Sequence, residues 1–598
     1  MHRLNNQAVE KNCAGVAWFG QNSFAIKSHG GTVVLTDPYF PAHRPGDKFF
    51  HPVVPEGVFG LAPDFILLTH DHSDHTDVET IHKYLEAYPA LKVIGPRESI
   101  AHLGTGDVIA AGQTVTMGDM AVTALYSKVP QEGMITHLGY VIKTGDGVKV
   151  YVSGDTQNDL ARNDFLLDPI IRENPHIGLI TTHPTEGEFP FFEDTAVLAQ
   201  KADMRFAVPA HYGCFSKRSF DPFAWQRVFP LHGAMPVIIP YNGYAQFSAA
   251  EKTVTYGYSQ EEHAPSCCKT AWCGQDVYKL QNGALEAMLD PRWGGSLFRL
   301  TDTQKGCEIL HTPVNHETYS GRNRIYGIPV ILPPNRIRDG EFQTETRKYD
   351  MVINSPDGHH CHGLMSQYPW TVEDFGIDKE GNPFIVVSCV NDESFEFYKS
   401  FPHRFKVTSK YILQKDALRH ELSCVNQSAE PMPFGIGCHI SFNAPFYMAS
   451  RGENVLIQLP VDKRWELDGV SIPTGYQAPL MSIEDGYRGE GIPAQGQAIR
   501  DHYSGKPLEI KGEAINGPVL HDKAAGLSIV YQTGDSFRHW MIWNEDGQSG
   551  FICPEPMTWA IDAPNLALPR EATGYKELAP GQAWADFSTI QVRKDERK

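Results

Sequence analysis

Between about residues 15 and 245, short apolar runs alternate with polar or amphipathic stretches: VAWFG, GTVVLTDPYF, DFILLTH, LKVIGP, GYVIKTGDGVKVYVSGD, HIGLITTH and FAVPAHY read as strands. SDHTDVETIHKYLEAY and FEDTAVLAQKA read as helices between them, and this interleaving predicts an α/β fold. From about residue 277 the texture changes. Short alternating runs such as YKLQNGALEAMLD, SLFRLTD, FIVVSCV, RFKVTSKYIL, LSIVYQT and HWMIWN are separated by Gly, Pro, Asn and Asp turns, which predicts a large, mainly antiparallel β domain. GYSQEEHAPSCCKTAWCGQDV has no periodicity and reads as a linker, so the expected division is 1–255, a linker at 256–275, and 276–598.

A chain of 598 residues exceeds a single core, in keeping with that division. No apolar run is long enough to span a bilayer. The start MHRLNNQAVEKNCAGVAW lacks the basic, apolar and small-residue order of a secretory signal, so a cytoplasmic location is expected. Eleven cysteines over this length are expected to be mostly buried thiols rather than a disulfide framework. A net charge of -19 without a basic stripe argues against nucleic acid and for a small-molecule partner. A homo-oligomer stays open.

The apolar strands end abruptly in THDHSDH, SGDT and PAHY, and each end supplies a His or Asp. In the first, His70, His72, Asp74 and His75 lie on a tight loop running into a helix. Two alternate imidazoles can grip one metal while the carboxylate and the next imidazole reach a second, a donor set suited to Zn, Mn or Fe. Such a metal acidifies bound water and polarises a carbonyl or phosphoryl group, so the expected chemistry is hydrolysis, with Asp74 orienting the water. His183, in TTHPTEG, also ends an apolar strand and is read either as a ligand or as a loop His beside the metal.

THDHSDH resembles the signature of the metallo-β-lactamase superfamily over roughly residues 14 to 248, most closely the branch of the L-ascorbate-6-phosphate lactonases. The resemblance implies an αβ/βα sandwich with one or two metals at one edge. Asp37 would end the family's early strand, Asp155 would be the metal-bridging carboxylate and His211 the last His ligand. Many relatives carry a further His where this chain has Tyr126, Ser127 and Lys128. His137 is the nearby candidate, its other reading being a structural His at the start of a strand.

In the β half, MPFGIGCHISF places His439, and GFICPEPMTWAIDAPN places Glu555, after apolar segments; brought together in a β cleft they make an acid/base pair. In order, PPNRI, HG, GxxH and PEP resemble the aldose 1-epimerase, or galactose mutarotase, family across about residues 276 to 593. That resemblance implies a β-supersandwich working without a metal. Glu555 would take the anomeric hydroxyl proton, His439 would protonate the ring oxygen, His362 and Arg336 would hold the sugar, and Asp501 in RDHYSG would bind it too. Cys267, Cys268 and Cys273 with His263 fit no common zinc spacing and read as thiols.

The expectation is a bifunctional carbohydrate enzyme: metal-dependent hydrolysis of a sugar lactone or related cyclic ester, followed along the chain by aldose anomer interconversion. The alternatives are a metal-dependent phosphodiesterase or phosphate-ester hydrolase carrying a carbohydrate-binding module, and a non-enzymatic sugar-binding protein whose metal site has decayed.

Overall fold

A computed structural model describes the chain except residues 186, 188, 231, 259–263 and 596–598. The N-terminal half builds two facing sheets. The first runs Thr253–Tyr256, Gly243–Ser248, Cys13–Trp18, Phe24–Lys27, Val33–Thr36, Phe65–Leu67, Lys92–Gly95 and Asp107–Val108. The second runs Met235–Pro236, Phe206–Ala210, Ile177–Thr181, Lys149–Val152, Leu138–Lys143, Met120–Tyr126 and Thr114–Met117. The two-residue side-chain period assigns each residue to a layer. Ala14, Val16 and Trp18 join Val122, Tyr140 and Val150 between the sheets. Ala17, Ala25, Leu35 and Ile66 face outward against Ile81 and Tyr84 of the helix Val78–Ala87. Burial on both faces explains the unbroken apolar runs.

The C-terminal half is antiparallel, with sheets of five, eight and nine strands around one continuous core. In the long strand Ala417–Asn426, buried and half-buried residues alternate without a break, the mark of one face on the core. Phe551–Met557 is buried throughout. The expected order, an α/β metallo-β-lactamase-like domain followed by a galactose-mutarotase-like β domain, is the one observed.

The supposed linker needs correction. Ser266–Trp272 is a strand pairing antiparallel with Gln275–Gln281, joined to it by Cys273 and Gly274, both at positive φ. Such a two-residue turn suits a tight hairpin, and Cys-Gly is a weaker signal for it than Asn-Gly. Cys268 is exposed, Cys267 and Cys273 are half-buried, and the other eight cysteines are buried. His263 lies outside the described residues.

The halves share a seam. Met448 and Ala449, from the β half, pack into the N-terminal core. The Met448 carbonyl accepts from Gln226 Nε2 at 3.0 Å and from the Ile238 amide at 2.9 Å, and Arg451 Nη2 donates to the Ala234 carbonyl at 2.8 Å. Among the described residues no helix is long and apolar enough to cross a membrane.

Candidate active sites

Val33–Thr36 and Phe65–Leu67 run parallel in one sheet, as do Lys149–Val152, Ile177–Thr181 and Phe206–Ala210 in the other, so their carboxyl ends meet at one edge. Asp37, THDHSDH, Asp155 and His211 leave from those ends. Asp37 and His211 take positive φ, as does Gln21 facing them. Non-glycine residues hold that conformation where their surroundings over-determine it, commonly at functional sites. Gly154 allows the turn before Asp155: at its φ of +58°, a Cβ would lie 2.8 Å from the Thr69 side chain and 2.9 Å from the Leu138 carbonyl.

Three groups of ligand atoms come together there, each within 4.8 Å: His70, His72 and His137; His70, His75 and Asp155; Asp74, His75 and His211. Asp155 stands between the outer two groups, with Oδ2 3.7 Å from His70 Nε2, and Oδ1 3.3 Å from both His75 Nε2 and His211 Nε2. Asp74 Oδ2 is 3.6 Å from His75 Nε2 and 3.7 Å from His211 Nε2. All seven residues read as ligands therefore converge.

His137 joins through the hairpin. Tyr126 pairs with Leu138, and the Ser127 amide donates to the His137 carbonyl at 3.1 Å. His137 thus stands directly across the ladder from the Tyr126–Lys128 strand end, and its ring stacks 4.1 Å from that of His70.

Residues beyond the ligands orient them. Asp37 Oδ2 accepts from His75 Nδ1 at 2.8 Å, and Thr69 secures the Asp37 carboxylate through its amide at 2.8 Å and hydroxyl at 2.6 Å, leaving His75 Nε2 to face the cluster. Gln21 Nε2 donates to Asp74 Oδ2 at 2.7 Å, and Asn22 Nδ2 to Asp155 Oδ1 at 3.1 Å. No motif marks Gln21 or Asn22, because their partners are distant in sequence, and Thr69, though it opens THDHSDH, shows its tie to Asp37 only in the fold. His183 stays off the cluster, its Nδ1 held at 3.1 Å from the Thr185 carbonyl. Asp71 pairs with His102 at 2.8 Å, and Asp77 accepts from Thr80 at 2.6 Å at the helix start.

The donors fit a cation. Burial pushes His70 well down, His211 down, and His137 to about 3, so these imidazoles are neutral as ligands must be. Burial would raise the Asp155 carboxyl, but His211 and His75 hold it well below the usual range. Burial would lower His75, yet Asp155 and Asp37 hold it well above its ordinary value, so the space at its Nε2 favours positive charge. That nitrogen is buried and lacks a hydrogen-bond partner among the described residues.

In the β half, His362, His439 and Glu555 bring one atom each within 4.8 Å of one another. Glu555 Oε1 lies 3.5 Å from His439 Nε2, and Oε2 accepts from Asn335 Nδ2 at 3.2 Å. Arg336 Nη1 donates to Asn335 Oδ1 at 3.2 Å, while its Nη2 pairs with Asp357 at 3.3 Å. The PPNRI and HCHG loops are locked together: Leu332 bridges Gly363, the His362 amide donates to the Asn335 carbonyl at 2.9 Å, and a Cβ on Gly363 would stand 1.8 Å from the Leu332 oxygen. Burial raises Glu555 to about 8, against the pull of Arg336 and Asn335. Burial, aided by Arg324, lowers His439 to about 4. Between those values the pair holds one proton, resting on Glu555 with His439 neutral.

Asp501 does not belong to this site. It opposes Ile542, which opposes Pro554; Glu555, one step on, opposes Met541, which opposes His502. Opposed residues share a face, so the pleat turns Asp501 away from Glu555. It shares its face with Tyr503, whose hydroxyl donates to Glu484 at 2.8 Å. His502 takes the place on the Glu555 side, accepting from the Ile561 amide at 3.3 Å.

Comparison with known proteins follows the same division. Residues 276–591 match the family model for aldose 1-epimerase, and residues 15–171 that for a β-lactamase superfamily domain. A metal-dependent hydrolase of Cupriavidus necator is 26% identical over 261 residues, 38% of this chain and 84% of that protein; one of Myxococcus xanthus is 28% identical over 248 residues, 38% and 81% respectively. A galactose mutarotase-like protein of Clostridium acetobutylicum has a TM-score of 0.54 at 30% identity, over 55% of this chain and 98% of that one. The chain thus belongs to the aldose 1-epimerase family through its C-terminal half and carries a metallo-β-lactamase-type domain ahead of it.

Proposed function

We propose that this is a bifunctional carbohydrate enzyme, its N-terminal domain hydrolysing a sugar lactone or related cyclic ester and its C-terminal domain interconverting aldose anomers. The observation that carries it is the presence, on one chain, of a His-carboxylate cluster centred on Asp155 and a buried His439–Glu555 pair 3.5 Å apart.

One or two divalent ions, Zn or Mn, held by His70, His72, Asp74, His75, His137, Asp155 and His211 would supply a water nucleophile acidified toward neutrality and a Lewis acid for the carbonyl oxygen. Asp37 holds His75 Nδ1, and Asp74 Oδ2, held by Gln21, would orient the attacking water.

In the β half, the pair's single proton passes from Glu555 to His439 across their 3.5 Å contact, after which Glu555 takes the proton of the anomeric hydroxyl as His439 protonates the ring oxygen, which opens the hemiacetal; reclosure on the other face reverses both transfers. Arg336 and His362 orient the sugar. Tethering would raise the local concentration of any intermediate the two sites share.

Two assays test this reading. Polarimetry of glucose and galactose should show accelerated mutarotation, with Glu555→Gln and His439→Asn each reducing kcat by at least about 100-fold, the low end of acid/base catalysis; no acceleration by the wild type would reduce the β half to a binding module. Hydrolysis of sugar lactones should vanish with a chelator and return with Zn or Mn, whereas metal-dependent cleavage of bis(p-nitrophenyl) phosphate alone would replace the lactonase by a phosphodiesterase.

A further inference from the structure

The seam between the halves holds a cavity of about 290 Å³ that belongs to neither site. One wall is the segments 51–56 and 240–244 of the N-terminal half; the other is the outer face of the strands Gln275–Gln281, Leu285–Asp290 and Ser296–Asp302. Neither the metal-edge residues nor His362, His439 and Glu555 line it. Val53 and Glu56, at its rim, are exposed, so the cavity opens to solvent.

The sheet gives its wall a definite chemistry. Opposed residues share a face, and the register sets Lys279, Met288 and Arg299 in one row and Gln281, Glu286 and Thr301 in the next. The reverse face, with Leu280, Ala287 and Leu300, is buried in the β core. Antiparallel sheets commonly turn such a polar face to water; here the N-terminal half roofs it. Lys279 Nζ pairs with Glu286 at 2.6 Å, and Arg299 gives Nε and Nη2 to Glu308 at 3.2 and 3.3 Å. Each cation of this wall is therefore matched by a carboxylate.

What remains is uncharged hydrogen-bonding capacity. Arg299 Nη1, the Gln281 carboxamide, the Thr270 hydroxyl and the His51 ring nitrogens line the cavity and make no hydrogen bond among the described residues. His51 lies flat on Tyr241, with 3.6 Å between ring centroids. Burial, aided by Arg44, Arg299 and Lys279, holds its imidazole well below the ordinary value, so it offers one donor and one acceptor. An anion entering here meets Glu286 beside Lys279, a cation meets the reverse, and an apolar molecule strands the donors. The volume lies at the small end of ligand sites, roughly 300–1,000 Å³, and suits one sugar ring rather than a nucleotide.

We propose that the seam cavity is a second, non-catalytic binding site for a neutral polyhydroxylated molecule the size of one sugar ring, whose hydroxyls are taken by Arg299, Gln281, Thr270 and His51. Because its walls come from both halves, the occupant clamps them together. The site depends on neither hydrolysis nor mutarotation.

The full-length protein is melted without addition and with glucose, galactose, gluconate or glucosamine, as wild type, His51→Phe and Gln281→Leu, and wild-type crystals are soaked in the two neutral sugars. His51→Phe keeps the stack on Tyr241, and Gln281→Leu removes a group without a partner, so both variants should melt like wild type when no sugar is added. The wild-type Tm should rise with at least one neutral sugar, and each variant should lose at least about half of that rise, as mass action at one fewer working site requires. Soaked crystals should show the sugar against Arg299, and mutarotation should keep its kcat and KM in both variants. No rise in wild type, an undiminished rise in the variants, gluconate or glucosamine acting through His51 and Gln281 in place of the neutral sugars, or soaked crystals with sugar at Glu555 only overturns the proposal. If a variant melts low without sugar, the soak decides alone. Absence of mutarotation would remove the epimerase reading and leave the melts and the soak to decide the seam.

Discussion

At the scale of single residues, the clearest consequences concern His137 and Glu555. His137 completes the group with His70 and His72, so His137→Ala should lower the bound metal per chain by one ion in native mass spectrometry, with the fold intact by circular dichroism; unchanged stoichiometry would return His137 to a structural role. The carboxyl of Glu555, raised from its ordinary 4.5 to about 8, is more protonated folded than unfolded over that range. The contribution of Glu555 to stability therefore falls as pH climbs from about 4.5 to about 8, a contribution that Glu555→Gln lacks. The Tm of Glu555→Gln should gain on wild type from pH 5 to 8, and parallel curves would refute the raised value. The same pair sets activity: kcat/KM for mutarotation should be bell-shaped, falling below about 4 as both groups hold protons and above about 8 as neither does. Most candidate ligands could be read from the chain because they follow the ends of apolar runs. His137 could be read only as a candidate, because its tie to Ser127 runs across a hairpin rather than along the sequence.

At the scale of elements, what decides a role is which way a strand turns its side chains. Asp501 and His502 are neighbours in sequence and on opposite faces of one strand, a distinction a short motif match does not contain. The strand Ser266–Trp272 escaped notice because its turn is Cys-Gly and its buried face is nearly confined to Trp272, whereas Ala417–Asn426 declares itself by strict alternation. The contact of Gly363 with Leu332 positions the catalytic loops of the β half. Gly363→Ala, adding a Cβ at positive φ against a carbonyl, should cost about 2 kcal/mol or more, within the range for strained backbone and overpacking. It should also depress mutarotation while leaving lactone hydrolysis unchanged; equal loss of both activities would point to general misfolding.

At the scale of the whole molecule, the change from α/β to antiparallel β texture was legible near residue 277, but the seam was not, since nothing local marks Met448 as belonging to the other half's core. Met448→Ala should cost roughly 2–5 kcal/mol, as for other buried methionines. Because that side chain lies in the N-terminal core, the variant should weaken lactone hydrolysis although Met448 lies in the β half, and loss confined to mutarotation would argue against the seam. The same contact bears on inheritance. A gene encoding either half alone would leave an open socket in one product and a bare apolar plug on the other, so each half made singly inherits an exposed apolar surface that the fused chain hides.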